Sequence, residues 1–273
     1  MSGVELLPPV SQRLWGWPAV LNFVCGGLGA GLYLVAAVAG SPAGARWLGP
    51  ALVLAGFLAV AAEAGRPLRG PRVLTRVGTS WMSRELWLGG AFVVAALVDL
   101  RLLAAPAAAL LALAQGAILR QARGVPAWAA ASMPLVFLSS ALLSGTGLWL
   151  VLEAAASRAP GDRGFAAVLV VLIAHMAVWQ RYLGSSRDPA FRAATRPLHE
   201  GWPRALVLVG GYLGPALLIA LALAWPAVAA PVAAAAALGM IASQVAVKAS
   251  LILQAGQLRS ITIPHLAARR NAS

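Results

Sequence analysis

Gly65-Arg66-Pro67-Leu68-Arg69-Gly70, followed by Thr79-Ser80-Trp81-Met82-Ser83-Arg84-Glu85, is a polar passage set between two apolar runs. It holds the arginines 66, 69, 72, 76 and 84, and a glutamate stands at each border, Glu63 before it and Glu85 at its close. Outside such short passages the chain is almost free of charge. That contrast decides the fold class, because apolar runs of about 20 residues punctuated by basic loops are the pattern of helices crossing a bilayer.

Composition says the same. Of 273 residues, 60% are hydrophobic and 11% charged, where a soluble globular domain carries about 25% charged residues. The sequence predicts an all-α integral membrane protein with eight transmembrane helices, over 17–39, 47–64, 85–99, 103–121, 132–153, 164–183, 204–224 and 229–253. They form one domain over 1–258, followed by a short basic tail, 259–273. Tryptophans 15, 17, 47, 81, 87, 128, 202 and 225 fall near the ends of these spans, where amphipathic rings settle at the interface.

Eight crossings put both termini on one side. With the loops 65–84, 122–131 and 184–203, that side collects seventeen of the 21 Lys and Arg residues, leaving Arg46, Arg101, Arg158 and Arg163 on the other. The asymmetry places the termini and long loops in the cytoplasm of the cell whose membrane the chain crosses. The net charge of +13 is therefore a membrane-topology signal rather than a nucleic-acid footprint. The single cysteine, Cys25, excludes an internal disulfide and an iron–sulfur cluster held by this chain alone. No paired Cys or His has metal-ligand spacing, and no nucleophile–base set or phosphate loop is present, so no catalytic residue and no metal ligand is assigned.

A few residues inside the spans carry chemistry. Glu85, at the start of the third span, has two readings: a helix-terminal acid stabilised by unpaired N–H groups, or a proton acceptor beside a quinone. Glu63 closes the second span, where the helix dipole disfavours an anion; pairing with Arg66 or Arg69 and a functional acid are both open. Asn22, Gly26, Gly29 and Tyr33 share a face of the first helix, and Gly27-x-x-x-Gly31 lies beside them; small residues there point to close helix packing. Asn22 needs a partner in lipid, either another helix or a quinone carbonyl. His175 is mid-span, where a hydrogen-bonded structural role is the default; with no facing histidine a haem is not expected. Lys248 lies near enough to the end of the last span to snorkel.

Three stretches carry a resemblance. Gly65–Arg69 with Thr79–Glu85 is one. Leu119-Arg120-Gln121-Ala122-Arg123-Gly124-Val125-Pro126-Ala127-Trp128 with Met133-Pro134-Leu135 is another, and the third is Trp17-Pro18-Ala19-Val20-Leu21-Asn22-Phe23 with its glycines. They resemble the membrane anchors of molybdopterin oxidoreductases, the dimethyl sulfoxide reductase anchors and the related polysulfide and nitrite reductase anchors. The opening stretch is most similar to anchors of the phenylacetyl-CoA:acceptor oxidoreductase type. The resemblance implies two four-helix bundles, no haem, and menaquinone or ubiquinone bound near a four-cluster, ferredoxin-like iron–sulfur subunit that is wired to a molybdopterin catalytic subunit. Glu85 matches the acid of the family's quinol site, and Glu63 stands where some anchors have a histidine.

On this reading Glu85, Glu63, Arg84, Arg66, Asn22 and His175 serve quinone binding and proton exchange. Arg69, Arg72, Arg76, Arg120 and Arg123 dock the partner, and lipid surrounds the rest. A cytoplasmic catalytic partner favours substrates met there, an aryl-acetyl-CoA thioester or sulfite. The alternatives are a membrane transporter lined by Lys248, His175 and Asn22, or a haem-free ion-translocating respiratory subunit with Asp99, Glu153 and His175 as a relay.

Overall fold

A computed structural model describes residues 4–7, 10–40, 44–63, 74–122, 124–259 and 261–263. Long helices follow the apolar runs: α1 Trp17–Ala39, α2 Ala45–Glu63, α3 Trp81–Leu97, α4 Arg101–Gln121, α5 Met133–Ala155 and α6 Asp162–Leu183. After a short α7, Pro189–His199, come α8 over Gly201–Ala224 and α9 over Pro226–Gln254. Seven of these, all but α3 and α7, are long and apolar enough to cross a membrane. The helix α3 has 17 residues, a length of roughly 25 Å, at the short end of what a bilayer core requires.

Local chemistry explains several boundaries. Pro18 and Pro134 occupy the first turns of α1 and α5, where a missing N–H costs nothing. Ser80 caps α3, its Oγ accepting from Ser83 N at 3.5 Å. The tight turn from α3 to α4 is closed by Asp99, which adopts φ +61° and accepts a hydrogen bond from Arg101 Nε at 3.1 Å. The sequence begins the third helix at 85; capping by Ser80 starts it a full turn earlier and draws Glu85 inside.

The helix α1 is central, packing on α2, α4 and α5. Its closest approach is to α5, where Gly31 and Gly145 face each other backbone to backbone and a Cβ on either would run into the other helix. The small-residue stripe thus does what the sequence predicts of it. α2 packs on α3 and α3 on α4, around an apolar set that includes Tyr33, Val53, Phe92 and Leu111. α5 also packs on α6 and α9, and α9 on α8, around a larger set with Phe137, Trp149, Leu172, Tyr182 and Met240.

The helix α7 is absent from the sequence-based map. It buries Phe191, Ala194, Thr195 and Leu198 across the ends of the bundle, against Pro126–Trp128 and the end of α9. The chain ends meet on the same side: Val4–Leu7 and Ile261–Ile263 pair antiparallel, and Leu258 N donates to Val10 O. Many large apolar side chains face outward along the helices, Leu58, Val94, Leu102, Val170 and Leu217 among them, as lipid contact demands.

Candidate functional site

Glu85 lies one turn inside α3 and is 6% exposed. Two neutral amides converge on its Oε1: Asn22 Nδ2 from α1 donates at 2.9 Å and Gln115 Nε2 from α4 at 3.1 Å. Gln115 also reaches Asn22 O at 3.4 Å. Gly26 makes room for this, since a Cβ there would collide with the Gln115 amide. Among the described residues no hydrogen bond reaches Glu85 Oε2 and no cation pairs with the carboxyl. A carboxyl held in a membrane bundle by neutral amides is costly as a permanent anion, which makes Glu85 a candidate functional residue.

Glu85 and Asn22 line a cleft of about 140 Å³ whose other walls are Leu14, Trp15, Ala19, Phe23, Val60, Met82 and Ile118. Next to its polar lining two buried acceptors have no partner among the described residues, Asn22 Oδ1 and, behind the cleft wall, Gln115 Oε1. One wall is set by the segment before α1. Gln12 fixes it by accepting from Leu14 N and Trp15 N and donating to Ile252 O. Trp15 stacks on Trp128, ring centroids 5.3 Å apart, and Trp128 Nε1 donates to Leu251 O at 2.8 Å. An apolar cleft with a few convergent polar groups is the usual form of a small-molecule site.

The structure brings together only part of the set expected from sequence. Asn22 and Glu85 meet. Arg84 does not join them: its guanidinium donates to Val77 O and Gly78 O, both at 2.8 Å, and lies 4.4 Å over the Trp81 ring. It braces the turn ahead of α3. His175 is elsewhere, on α6, with Nδ1 2.9 Å from Ser139 Oγ of α5, so the hydrogen-bonded default holds for that nitrogen. Glu63 is the last residue of α2, and its side chain lies outside the described residues, as do Arg66, Arg69, Arg72 and Arg123. Arg76 and Arg120 are exposed at the Glu85 end of the bundle. Gln115 is the member that sequence reading passed over; its signal is a lone amide in the middle of an otherwise apolar helix.

Charge is distributed unevenly between the two ends. At the end away from Glu85, Asp99 pairs with Arg46 and Arg101, and Glu153 with Arg158. Asp99 and Glu153 are thereby engaged at the surface, and neither touches His175, so the Asp99–Glu153–His175 relay is not assembled. The Arg101 guanidinium hydrogen-bonded to Asp99 holds its carboxyl below the ordinary aspartate range. At the Glu85 end the described ion pairs are Arg196–Glu200 and Arg259–Asp188, and Arg13, Arg76, Arg120, Arg181, Arg187 and Arg192 have no described acidic partner. That end is electropositive. Among the described residues no group of three His, Cys, Asp or Glu side chains is placed to hold a metal ion.

Residues 47–263 match the family model of the DMSO reductase anchor subunit (DmsC). The chain belongs to that family. It is accordingly a multi-pass membrane anchor subunit of a molybdopterin oxidoreductase, which implies catalytic and iron–sulfur partner subunits. No curated protein matches the chain. The matched span takes in Glu85 and Gln115 but begins after Asn22, so the α1 side of the cleft rests on the geometry alone.

Proposed function

We propose that this DmsC-family chain is the quinone-reactive anchor of a three-subunit molybdopterin/iron–sulfur oxidoreductase, passing electrons between the membrane quinone pool, menaquinone or ubiquinone, and the iron–sulfur subunit. The observation that carries the proposal is the Glu85 carboxyl, buried with no cation paired to it among the described residues, held on one oxygen by Asn22 and Gln115 and lining an apolar cleft.

The residues present fit a quinone headgroup. Asn22 Oδ1 and Gln115 Oε1 lack partners among the described residues, and a buried acceptor left unpaired is costly unless a ligand or water satisfies it. When bound, a quinol supplies two electrons and two protons. Glu85 Oε2 is where the chain holds a transferred proton, while the amides fix the other oxygen so that the carboxyl keeps one orientation. Trp15, Phe23, Val60, Met82 and Ile118 keep water from the cleft. Glu63, the last residue of α2, and Arg66, three residues later in the sequence, assist proton delivery.

Counting α3 as a crossing gives eight transmembrane helices in one domain to residue 258. α1–α4 form one four-helix bundle and α5, α6, α8 and α9 the other. Both termini are then cytoplasmic, consistent with the larger number of arginines without a described acidic partner at the Glu85 end. The arginine-rich end, including Arg69, Arg72, Arg76, Arg120 and Arg123, docks the iron–sulfur subunit, a four-cluster ferredoxin-like protein. A catalytic subunit on that side works on a cytoplasmic substrate, an aryl-acetyl-CoA thioester or sulfite.

The test is gentle purification of the tagged chain from its own membranes, with subunit identification and analysis for iron and molybdenum or tungsten. Co-purification of an iron–sulfur protein and a molybdopterin subunit supports the proposal. A chain that purifies alone and metal-free from fully extracted membranes refutes it and favours the transporter alternative.

A further inference from the structure

A second polar group lies inside the other half of the fold, and the Glu85 cleft does not use it. Lys248 on α9 is only 2% exposed. The sequence predicts that it snorkels to the interface; instead its Nζ turns inward, lying against Gly27 of α1, where a Cβ would crowd it, and 5.9 Å from the Phe137 ring of α5. Depth along a helix allows snorkelling, but the face of α9 on which Lys248 falls points into the bundle. Among the described residues no carboxylate pairs with it. Among the described residues the titratable side chains nearest in charge to it are Cys25 on α1 and His175 on α6, and Tyr212 on α8 adjoins His175. Cys25 is in electrostatic range of the amine, and so is His175.

Two of these groups adjoin each other. His175 and Tyr212 are ring neighbours with centroids 6.0 Å apart, and His175 is held by Ser139. Gly211, next to Tyr212, abuts Ser243, whose Oγ accepts from Gln244 Nε2 at 3.2 Å. Gln244 precedes Lys248 by one turn and so shares its face. Three buried atoms in this set have no hydrogen-bond partner among the described residues: His175 Nε2, Tyr212 OH and Gln244 Oε1. Buried orphan donors and acceptors on the helices that enclose a buried amine call for internal water to satisfy them. The helix backbones yield at the same place. Tyr212 lies in a π-helical stretch, Leu206–Leu213, and a second, Ser250–Gln254, begins two residues after Lys248; such turns occur often at functional positions.

We propose that Lys248, His175 and Tyr212, linked by water on the orphan atoms, form a second proton-exchange site, distinct from Glu85, in which the Lys248 amine takes up and returns a proton as electrons pass through the complex. An intramembrane cation with no counter-ion and with polar neighbours from several helices is the arrangement expected of a proton-handling group. The step breaks or makes one N–H bond of the ammonium and makes or breaks one O–H bond in the water that takes or gives the proton, with no change of oxidation state.

The proposal rests on the anchor reading, and its test keeps the two separate. The intact complex is sealed into vesicles with a trapped pH-sensitive dye, reduced viologen supplies electrons to the iron–sulfur subunit, and a short-chain quinone accepts them. Lys248→Met and Tyr212→Phe are expected to reduce quinone at rates within about twofold of wild type while moving at least twofold fewer protons per electron. Wild-type proton-to-electron ratios in both variants overturn the proposal. Should Lys248→Met fail to assemble, Tyr212→Phe, which removes a single hydroxyl, decides alone. Failure of wild type itself to reduce quinone refutes the quinone reading instead; a proton pulse across the vesicles then tests the site, with faster equilibration in wild type than in Tyr212→Phe expected and equal rates overturning it.

Discussion

Replacing Gln115 by leucine isolates the amide that positions the Glu85 carboxyl. Leucine has nearly the same volume, so the change removes hydrogen bonds without opening a cavity. Two bonds are lost. The one to Glu85 Oε1, at 3.1 Å, matters most; the one to Asn22 O, at 3.4 Å, is long and weak. Interhelical hydrogen bonds in membrane proteins are worth about 0.6 kcal/mol on average and about 1.7 at most, while bonds to a charged group reach about 1.5–3 kcal/mol. Asn22 still holds Oε1 at 2.9 Å, so the expected loss is about 1–2 kcal/mol, and one or two kcal/mol is a factor of roughly 5–30. The assay is viologen-driven quinone reduction by the purified complex, normalised to iron content. Gln115→Leu is expected to turn over about tenfold more slowly with normal assembly. Asn22→Leu is expected to be somewhat worse, and the double variant worse than the product of the two, because Oε1 then has no donor. A Gln115→Leu complex within twofold of wild type would refute the view that the amides organise the site.

Other outcomes follow from the same contacts. Gly26→Val drives a side chain into the Gln115 amide, and overpacking of about 1–3 kcal/mol is expected to lower the melting temperature of the detergent-solubilised complex along with its quinone turnover. Gly145→Val pushes α5 off Gly31 and is expected to abolish accumulation of the chain in membranes, read by immunoblot. Ser139→Ala removes the His175 contact, at a cost of about 0.6–1.7 kcal/mol, and is expected to leave the quinone reduction rate unchanged, since His175 is not at the Glu85 cleft. Asp99 contributes to the α3–α4 turn only while ionised. Its carboxyl is held below the ordinary range by Arg101, so its contribution is present above pH ~4 and is lost as pH falls through the lowered folded value. Asp99→Asn should therefore melt slightly below wild type at neutral pH and together with it in strong acid.

The membrane architecture was legible because it depends on long apolar runs, and the helices coincide with those runs to within a few residues. What hydropathy does not register is a short amphipathic helix such as α7, whose Phe191 and Leu198 are buried against the ends of other helices while its arginines stay wet. Glu85 and Asn22 stood out because an acid and an amide are rare at such positions. Gln115 did not, because an uncharged amide in a 21-residue helix carries no sign of which face it occupies until the partner helices are placed. Lys248 was misjudged for a related reason: its distance from the helix end permits snorkelling, and only the packing of α1 and α5 shows that it points the other way. Arg84 was grouped with Glu85 by adjacency in sequence, but neighbouring residues on a helix point about 100° apart, and its guanidinium closes the preceding turn instead.

The most direct test of the account is quinone reduction by a complex carrying Glu85→Gln, a change that keeps the shape and removes the exchangeable carboxyl. Loss of a positioned proton-transfer group costs about 10²-fold or more. The expected result is a complex with its full complement of iron–sulfur and molybdopterin subunits and at least a 100-fold slower quinone reaction. An assembled Glu85→Gln complex with wild-type quinone turnover would contradict the assignment of the α1–α3–α4 cleft as the quinone site.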